Sequence, residues 1–479
     1  MKTVREMRVR FIAFSALTSA VIWLRPSTPE ASVLNVCPSG CPYSSIQSAI
    51  NAAQTGDTIT IASATYTENL KILPPVSATT LTLTGAGAPQ TIVDGNQLNS
   101  VLNIAKGYTV SVTNISFING NSSIAGGILN DGGLTLTRVT ISNNDGDVAG
   151  GVANDTDGTL TMVDSIVNDN TTAGGIINDG TMTLSKVTVR NNQGDQFGGI
   201  ANDIDGTLVI SNSTVDQNSS TGKSLGVAGG LFNFGTASLT NTNVSGNSST
   251  VEGGGIENRG QLRVTNCQIT NNTTQMIGGG FDNRNEIPFK NPATVTVVNS
   301  SITRNKAFTG GGLFNLDGVF ALTGTSIDDN TAQEGGGVEN SFRGTTTLTN
   351  SRVSRNTATV DGGGVVNDRG KLTLIDSPID GNNAISTSGA KGGGLAVFGG
   401  TVQANDSPVT HNSASGPIGG LGGGIVVSDG SLTLYHSHVT ANTASTNGGG
   451  IYNFSGSVSI QMSPVEGNKP NDCFNVPGC

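Results

Sequence analysis

Aromatic side chains make up 4% of the 479 residues and charged ones 12%. Histidine occurs three times, at His411, His436 and His438, and the one tryptophan is Trp23. Such a chain offers few stacking platforms for a sugar groove and few groups that exchange protons near neutral pH. Long apolar runs are missing too. The longest, Phe11–Leu24, holds 14 residues, short of the ~20 that a membrane-spanning helix needs. Basic residues are also scarce, 24 against 34 acidic, for a net charge of −10. That balance argues against nucleic acid and anionic membrane surfaces as partners.

The apolar run has a context of its own. Lys2, Arg5, Arg8 and Arg10 precede it and Arg25-Pro-Ser-Thr-Pro follows, the pattern of a signal peptide over residues 1–31, with Ala31 a candidate last residue. An exported, extracellular protein is expected. The first 31 residues hold five of the basic and two of the acidic residues, so without them the net charge would be −13. Five cysteines fit an oxidising destination. Cys37 and Cys41 are close in sequence, as are Cys473 and Cys479, and disulfides there would pin the two ends. Cys267 stands at a position that Ser or Thr fills elsewhere, as a small buried residue would.

What is abundant is glycine, 68 residues of it, and a repeat. Thirteen copies run from Gly126 to Asn468, each opening with Gly-Gly and an apolar residue, as in GGILN (126–130) and GGIYN (449–453). A second half follows, as in LTLTRVTISNN (134–144), ending in Asn in every copy with Val or Ile three places earlier. The period is 24 residues at first and 24 to 32 later. That is too short for paired-helix repeats, and the local alternation has period two. Three short strands per unit, stacked on their counterparts one coil away, pair every backbone donor and align like side chains into columns. The expected fold is all-β: a right-handed parallel β-helix with three strands per coil. Fifteen or sixteen coils would span about 75 Å at one strand spacing each.

The repeat GG[ILVF]xN followed by [ST]x[VI]xxN resembles the paired motifs of chlamydial polymorphic outer membrane proteins, though Val or Ile stands where those have Phe. It is more similar to secreted bacterial right-handed β-helix repeat proteins. Ahead of it, SIQSAINAA (45–53), GDTITI and TYTEN resemble the entry segment of pectin-lyase-like β-helices, including pectinesterases. That resemblance implies a short helix plugging the first coil, with Ser44 or Ser45 as N-cap and Ile46, Ala49, Ile50 and Ala53 on its buried face. The chain divides into residues 1–31, a cap and irregular first coils at 32–125, the repeats at 126–468 and a Cys-containing tail at 469–479. Catalytic signatures of the pectin-acting families are missing: no QDTL or DFIFG segment, no Gly-His-Gly.

Three constellations invite chemistry. In GGIENRG and GGFDNRN, Ile256 and Phe281 should point inward, so Glu257 and Asp282 should point out of one sheet in adjacent coils. Their carboxyls would stand near the ~5 Å of retaining glycosidases, with Arg259 and Arg284 beside them. Phe232, Phe314 and Glu339 share the outward position and would bind a sugar chain, overhung by the insertion Asn285–Pro292. Second, Asp131, Asp155, Asp179 and Asp203 recur at a spacing of 24, with Asp157 and Asp205 close by. Stacked carboxylates repel unless a cation bridges them, so Ca²⁺ is the candidate cofactor and ordinary turn chemistry the alternative. Third, His411, His436 and His438 lie in neighbouring coils, as a metal site or as solvated residues.

Two functions stand. One is a non-catalytic extracellular scaffold, expected to be a monomer, serving adhesion, surface coating or glycan binding. The other is a polysaccharide-cleaving enzyme, a glycoside hydrolase at Glu257 and Asp282 or a Ca²⁺-assisted lyase along the Asp column. The regularity of the repeat favours the scaffold.

Overall fold

The computed structural model describes residues 31–222, 226–285 and 292–479. Most of the signal segment and most of the 285–292 insertion lie outside the described residues.

Every coil is built the same way. Ile128–Asn130, Gly133–Thr137 and Thr140–Ser142 are one coil's three strands, and each pairs in parallel with its counterpart one coil on. The three sheets that result hold 16, 17 and 16 strands, here called first, second and third in that order along the coil. The chain is a parallel β-helix, right-handed as parallel crossovers are. It has about 17 turns, slightly more than the repeats suggest. The early segment expected to be irregular contributes strands such as Thr58–Ile61 and Thr80–Gly85 to the same second sheet. In the tail, Cys473–Phe474 pairs with Ile451–Asn453 as the last strand of the first sheet. Disulfides join Cys37 to Cys41 and Cys473 to Cys479.

The interior is a set of columns. Ile128, Val152, Ile176 and Ile200 stack in one, paired leucines in another, and all are fully buried. Two asparagine columns run beside them. Thirteen residues run from Asn144 to Asn468, and each of the first twelve donates Nδ2 to the next Oδ1, as Asn170 does to Asn192 at 2.9 Å and Asn412 to Asn442 at 3.0 Å. The same Oδ1 also accepts a backbone N–H, so a buried amide leaves nothing orphaned. The second column runs from Asn130 to Asn367, with Asn130 donating to Asn154 at 2.7 Å. It stops where Val397 and Val427 replace Asn, and Asn367 donates to the Gly399 carbonyl instead. A hydroxyl column completes the set: Val139 N donates to Ser165 Oγ, and Cys267 Sγ takes the same place by accepting from Thr242 N at 3.4 Å.

Two bends per coil sit in the left-handed region, at Asn114, Asn212, Asn241 and Asn266 between the second and third sheets and at Asn143, Asn191 and Asn271 after the third. Asparagine and glycine tolerate it; Ala441, at φ 58°, does not share that ease. The helix Ile46–Ala52 closes the first coil and buries Ile46, Ala49 and Ile50. Ser45 is its N-cap, accepting from Ser48 N. Glu68 reinforces that end, accepting from Ile46 N and Gln47 N at 2.8 Å each.

Candidate functional site

The side chain in the middle of each first-sheet strand points away from the interior. Register places Ile177, Ala201, Phe232, Glu257, Asp282, Phe314, Glu339 and Val366 in one such column. The direction and the neighbours are those the repeat implies. The solvent exposure is not. Glu257 and Asp282 are 0% exposed, Phe314 7% and Glu339 3%. These four were expected on an open face that a sugar could reach, and that expectation is corrected.

The cover is the turn that carries the chain from the third sheet back to the next Gly-Gly pair. From residue 253 onward that turn ends in a third glycine with positive φ, as at Gly253, Gly278, Gly310 and Gly335. A Cβ on Gly253 or Gly278 would stand 2.8 or 2.7 Å from the Cβ of Glu257 or Asp282, so only glycine lets the turn lie this close. Earlier copies carry Ala125, Ala149, Ala173, Phe197 and Ala228 at that place. The third glycine is the sequence signal of burial, and motif reasoning passed over it.

Beneath the turn lies a five-residue ionic cluster. Arg259 reaches Glu252 at 2.7 Å and Glu257 at 2.9 Å. Arg284 reaches Glu252 at 2.6 Å, bonds Asp282, and stands 3.5 Å from Glu257 Oε1. Glu252, which sequence reasoning missed, is the hub that binds both guanidiniums. Glu257 Oε2 and Asp282 Oδ1 are buried without a partner. Burial raises the Glu257 carboxyl well above its ordinary value, Asp282 adds to the rise, and Arg284 and Arg259 oppose it. Burial raises Asp282 as well, against Arg284. For Arg284 burial works against the charge, yet its carboxylate partners raise it.

The oxygens of Glu252, Glu257 and Asp282 lie within 4.8 Å of one another, the one such trio among the described residues. Three carboxylates against two guanidiniums leave one negative charge. A divalent cation would overshoot to a net positive one in a buried site. One proton shared by Glu257 and Asp282 brings the cluster to neutrality. A proton is the better fit.

Glu339 is a simpler case. Ser341 Oγ donates to its Oε1 at 2.9 Å, Oε2 has no partner, and no cation adjoins it. Burial pushes its carboxyl up to about 8, with Glu334, Asp368 and Asp361 adding to the rise.

The Asp column is no such trio. Asp155 and Asp203 are exposed and accept from Thr156 N and Ile204 N at 2.7 Å, which is turn chemistry. Asp157 pairs with Lys106 at 2.7 Å. Asp131 and Asp179 are half-buried; burial and then neighbouring carboxylates raise both, Asp179 to about 6. The histidines do not converge either. His411 Nδ1 contacts Asp380 at 2.9 Å, and His436 packs on Tyr435.

One open feature remains on the same column, a cleft of about 620 Å³ against Ile177, Ala201 and Phe232. Phe232 is half-buried, with Phe197 stacked at 6.3 Å and Arg259 over its ring at 5.4 Å.

No protein-family model matches the chain, and no curated protein matches it. Solved structures do. The A-module of mannuronan C-5 epimerase AlgE6 from Azotobacter vinelandii shares 13% identity over 88% of this chain and 95% of its own, with a TM-score of 0.35. Pectate lyase Pel9A shares 15% over 79% and 78%, at 0.28. Pectin methylesterase PemA from Erwinia chrysanthemi shares 12% over 58% and 79%, at 0.27. At such scores the likeness says nothing of activity. The parallel β-helix rests on the strand pairings themselves, and no described helix is long and apolar enough to cross a membrane.

Proposed function

We propose that the chain is an exported, non-catalytic β-helix scaffold that presents its long sides to an extracellular or cell-surface glycan. The observation that carries this reading is the burial of Glu257 and Asp282 beneath glycine-lined turns. Their oxygens have the spacing of a glycosidase pair, but both acids are tied to arginines and no substrate oxygen can come within the ~3 Å that proton transfer needs. The flanking Phe314 and Glu339 are closed off in the same way. What is left to partners is a rigid column about 80 Å long, at one strand spacing per coil.

The test is a paired assay on the purified chain from residue 32 onward. Pectin, alginate, xylan, glucans and glycosaminoglycans are offered with and without Ca²⁺. Retention of at least one glycan without new reducing ends or unsaturated products is expected. Product release would replace the scaffold with an enzyme. Retention of none would remove the glycan from the reading.

A further inference from the structure

The cleft has an identifiable cause in the sequence. Between the ladder Asn and the next Gly-Gly pair, the turn has five residues in the coils ending at Asn144 and Asn192, but three after Asn170. With two residues missing, Thr171–Ala173 cuts the corner. Ala173 N donates to Thr171 O at 2.9 Å, and Thr172 is forced to φ 70°. For a β-branched residue that conformation is strained. The neighbouring turns bridge onward in parallel, Ala125 to Ala149 and Phe197 to Ala228. Ala173 makes no such bridge, pairing antiparallel with Gly194. The cover over the first sheet therefore has a slot one coil wide, floored by the half-buried Ile177, with Ala201 buried beside it, and closed at one end by Phe197 and Phe232.

Its chemistry is one-sided. Asp147 stands on one wall, Asp195 on the other, and Asp203 lies across the floor; among the described residues no Lys or Arg lines it. Arg259, on Phe232, is tied by Glu252 and Glu257. The walls are two strand spacings apart, about 9.6 Å between chains. That admits one ring or one alkyl chain, not a helix of 10–12 Å. An apolar, aromatic floor beneath three carboxylates suits a cation with an apolar body.

We infer that the slot at coil three is a binding site for a small organic ammonium ion, a primary amine carried on a single ring or short chain. The ring lies on Ile177 and Phe197, and the ammonium faces Asp147 and Asp195. This site is independent of the glycan reading above.

Isothermal titration at low salt tests it with four probes: benzylamine, glucosamine, and their uncharged counterparts benzyl alcohol and glucose. The amines should bind at least about tenfold tighter than the alcohols, as a charge-assisted contact with a partly exposed carboxylate allows. Benzylamine ahead of glucosamine would assign an aryl amine, the reverse an amino sugar. Replacing both wall acids, Asp147→Asn with Asp195→Asn, should cost the amines about tenfold and leave the alcohols unchanged. These are exposed turn residues, so the variant should fold. Inserting two residues after Thr172 should close the slot and abolish binding of all four probes. Equal affinity for amines and alcohols overturns the inference, as does binding that survives the insertion in a folded protein. Tighter binding of an acetylated lysine-containing tripeptide than of either amine would also overturn it, in favour of a protein partner.

Discussion

Two stretches of one column behave in opposite ways. At Ile177 the half-buried outward side chain floors an open slot; at Glu257 and Asp282 the side chains are sealed and charged. The strands beneath are the same three-residue unit, paired in the same register. What differs is the returning turn: three residues after Asn170, six after Asn247 and Asn272, the longer ones ending in a third glycine. The repeat motif sets the scaffold, and the turn between motifs decides whether a position meets solvent.

The sealed half breaks most severely at Arg284. Replacing it with Met leaves Asp282, Glu257 and Glu252 short of a cation, and should cost about 3–5 kcal/mol in urea unfolding. The open half has no counterpart: the double substitution of Asp147 and Asp195 should stay within about 0.5 kcal/mol.

Next comes Glu339. Its folded carboxyl titrates near 8 against an ordinary 4.5, so the folded state binds more protons between those values. Stability therefore falls as pH rises from about 4.5 to about 8. Glu339→Gln removes that fall: close to wild type at pH 4.5, it should be more stable by about 4–5 kcal/mol at pH 8.5. Parallel slopes for the two proteins would show that Glu339 is ionised in the fold.

The cover itself is tested at Gly278. A Cβ there meets the Phe281 carbonyl and Asp282 Cβ, at φ 70°. Gly278→Ala should cost about 2–3 kcal/mol, whereas Ala149→Gly, the equivalent position in the early coils, should cost about 1 or less. The smallest effect belongs to the bends that both halves share. Ala441→Asn, at φ 58°, should raise stability by up to about 1 kcal/mol.

The strands and the inward columns were legible because period and stacking fix them: a residue that repeats every coil must sit on its own copies. The same logic told that Glu257 lies beside Asp282 and that Cys267 sits among hydroxyls. It failed on exposure, because alternation within a strand says which side a residue faces and nothing about what lies over that side. Glu252 belongs to the cover rather than the repeat, so no spacing rule pointed to it. The slot was illegible for a related reason. It arises from two residues that are absent after Asn170, and motif reading attends to what recurs.

The thirteen-residue asparagine column has one more consequence. Every side-chain amide in it points the same way, Nδ2 toward the C-terminal neighbour and Oδ1 toward the N-terminal one. Their dipoles add head to tail and polarise one another along the axis, much as peptide units do in an α-helix. The negative pole rests on a backbone donor, Gly120 N, at 2.8 Å. At the positive pole Asn468 finds no further asparagine, and Asp472 receives both its backbone N–H at 2.8 Å and its Nδ2 at 3.0 Å. A full negative charge thus terminates a wire of aligned amides, and the solenoid has an electrical direction as well as a chain direction.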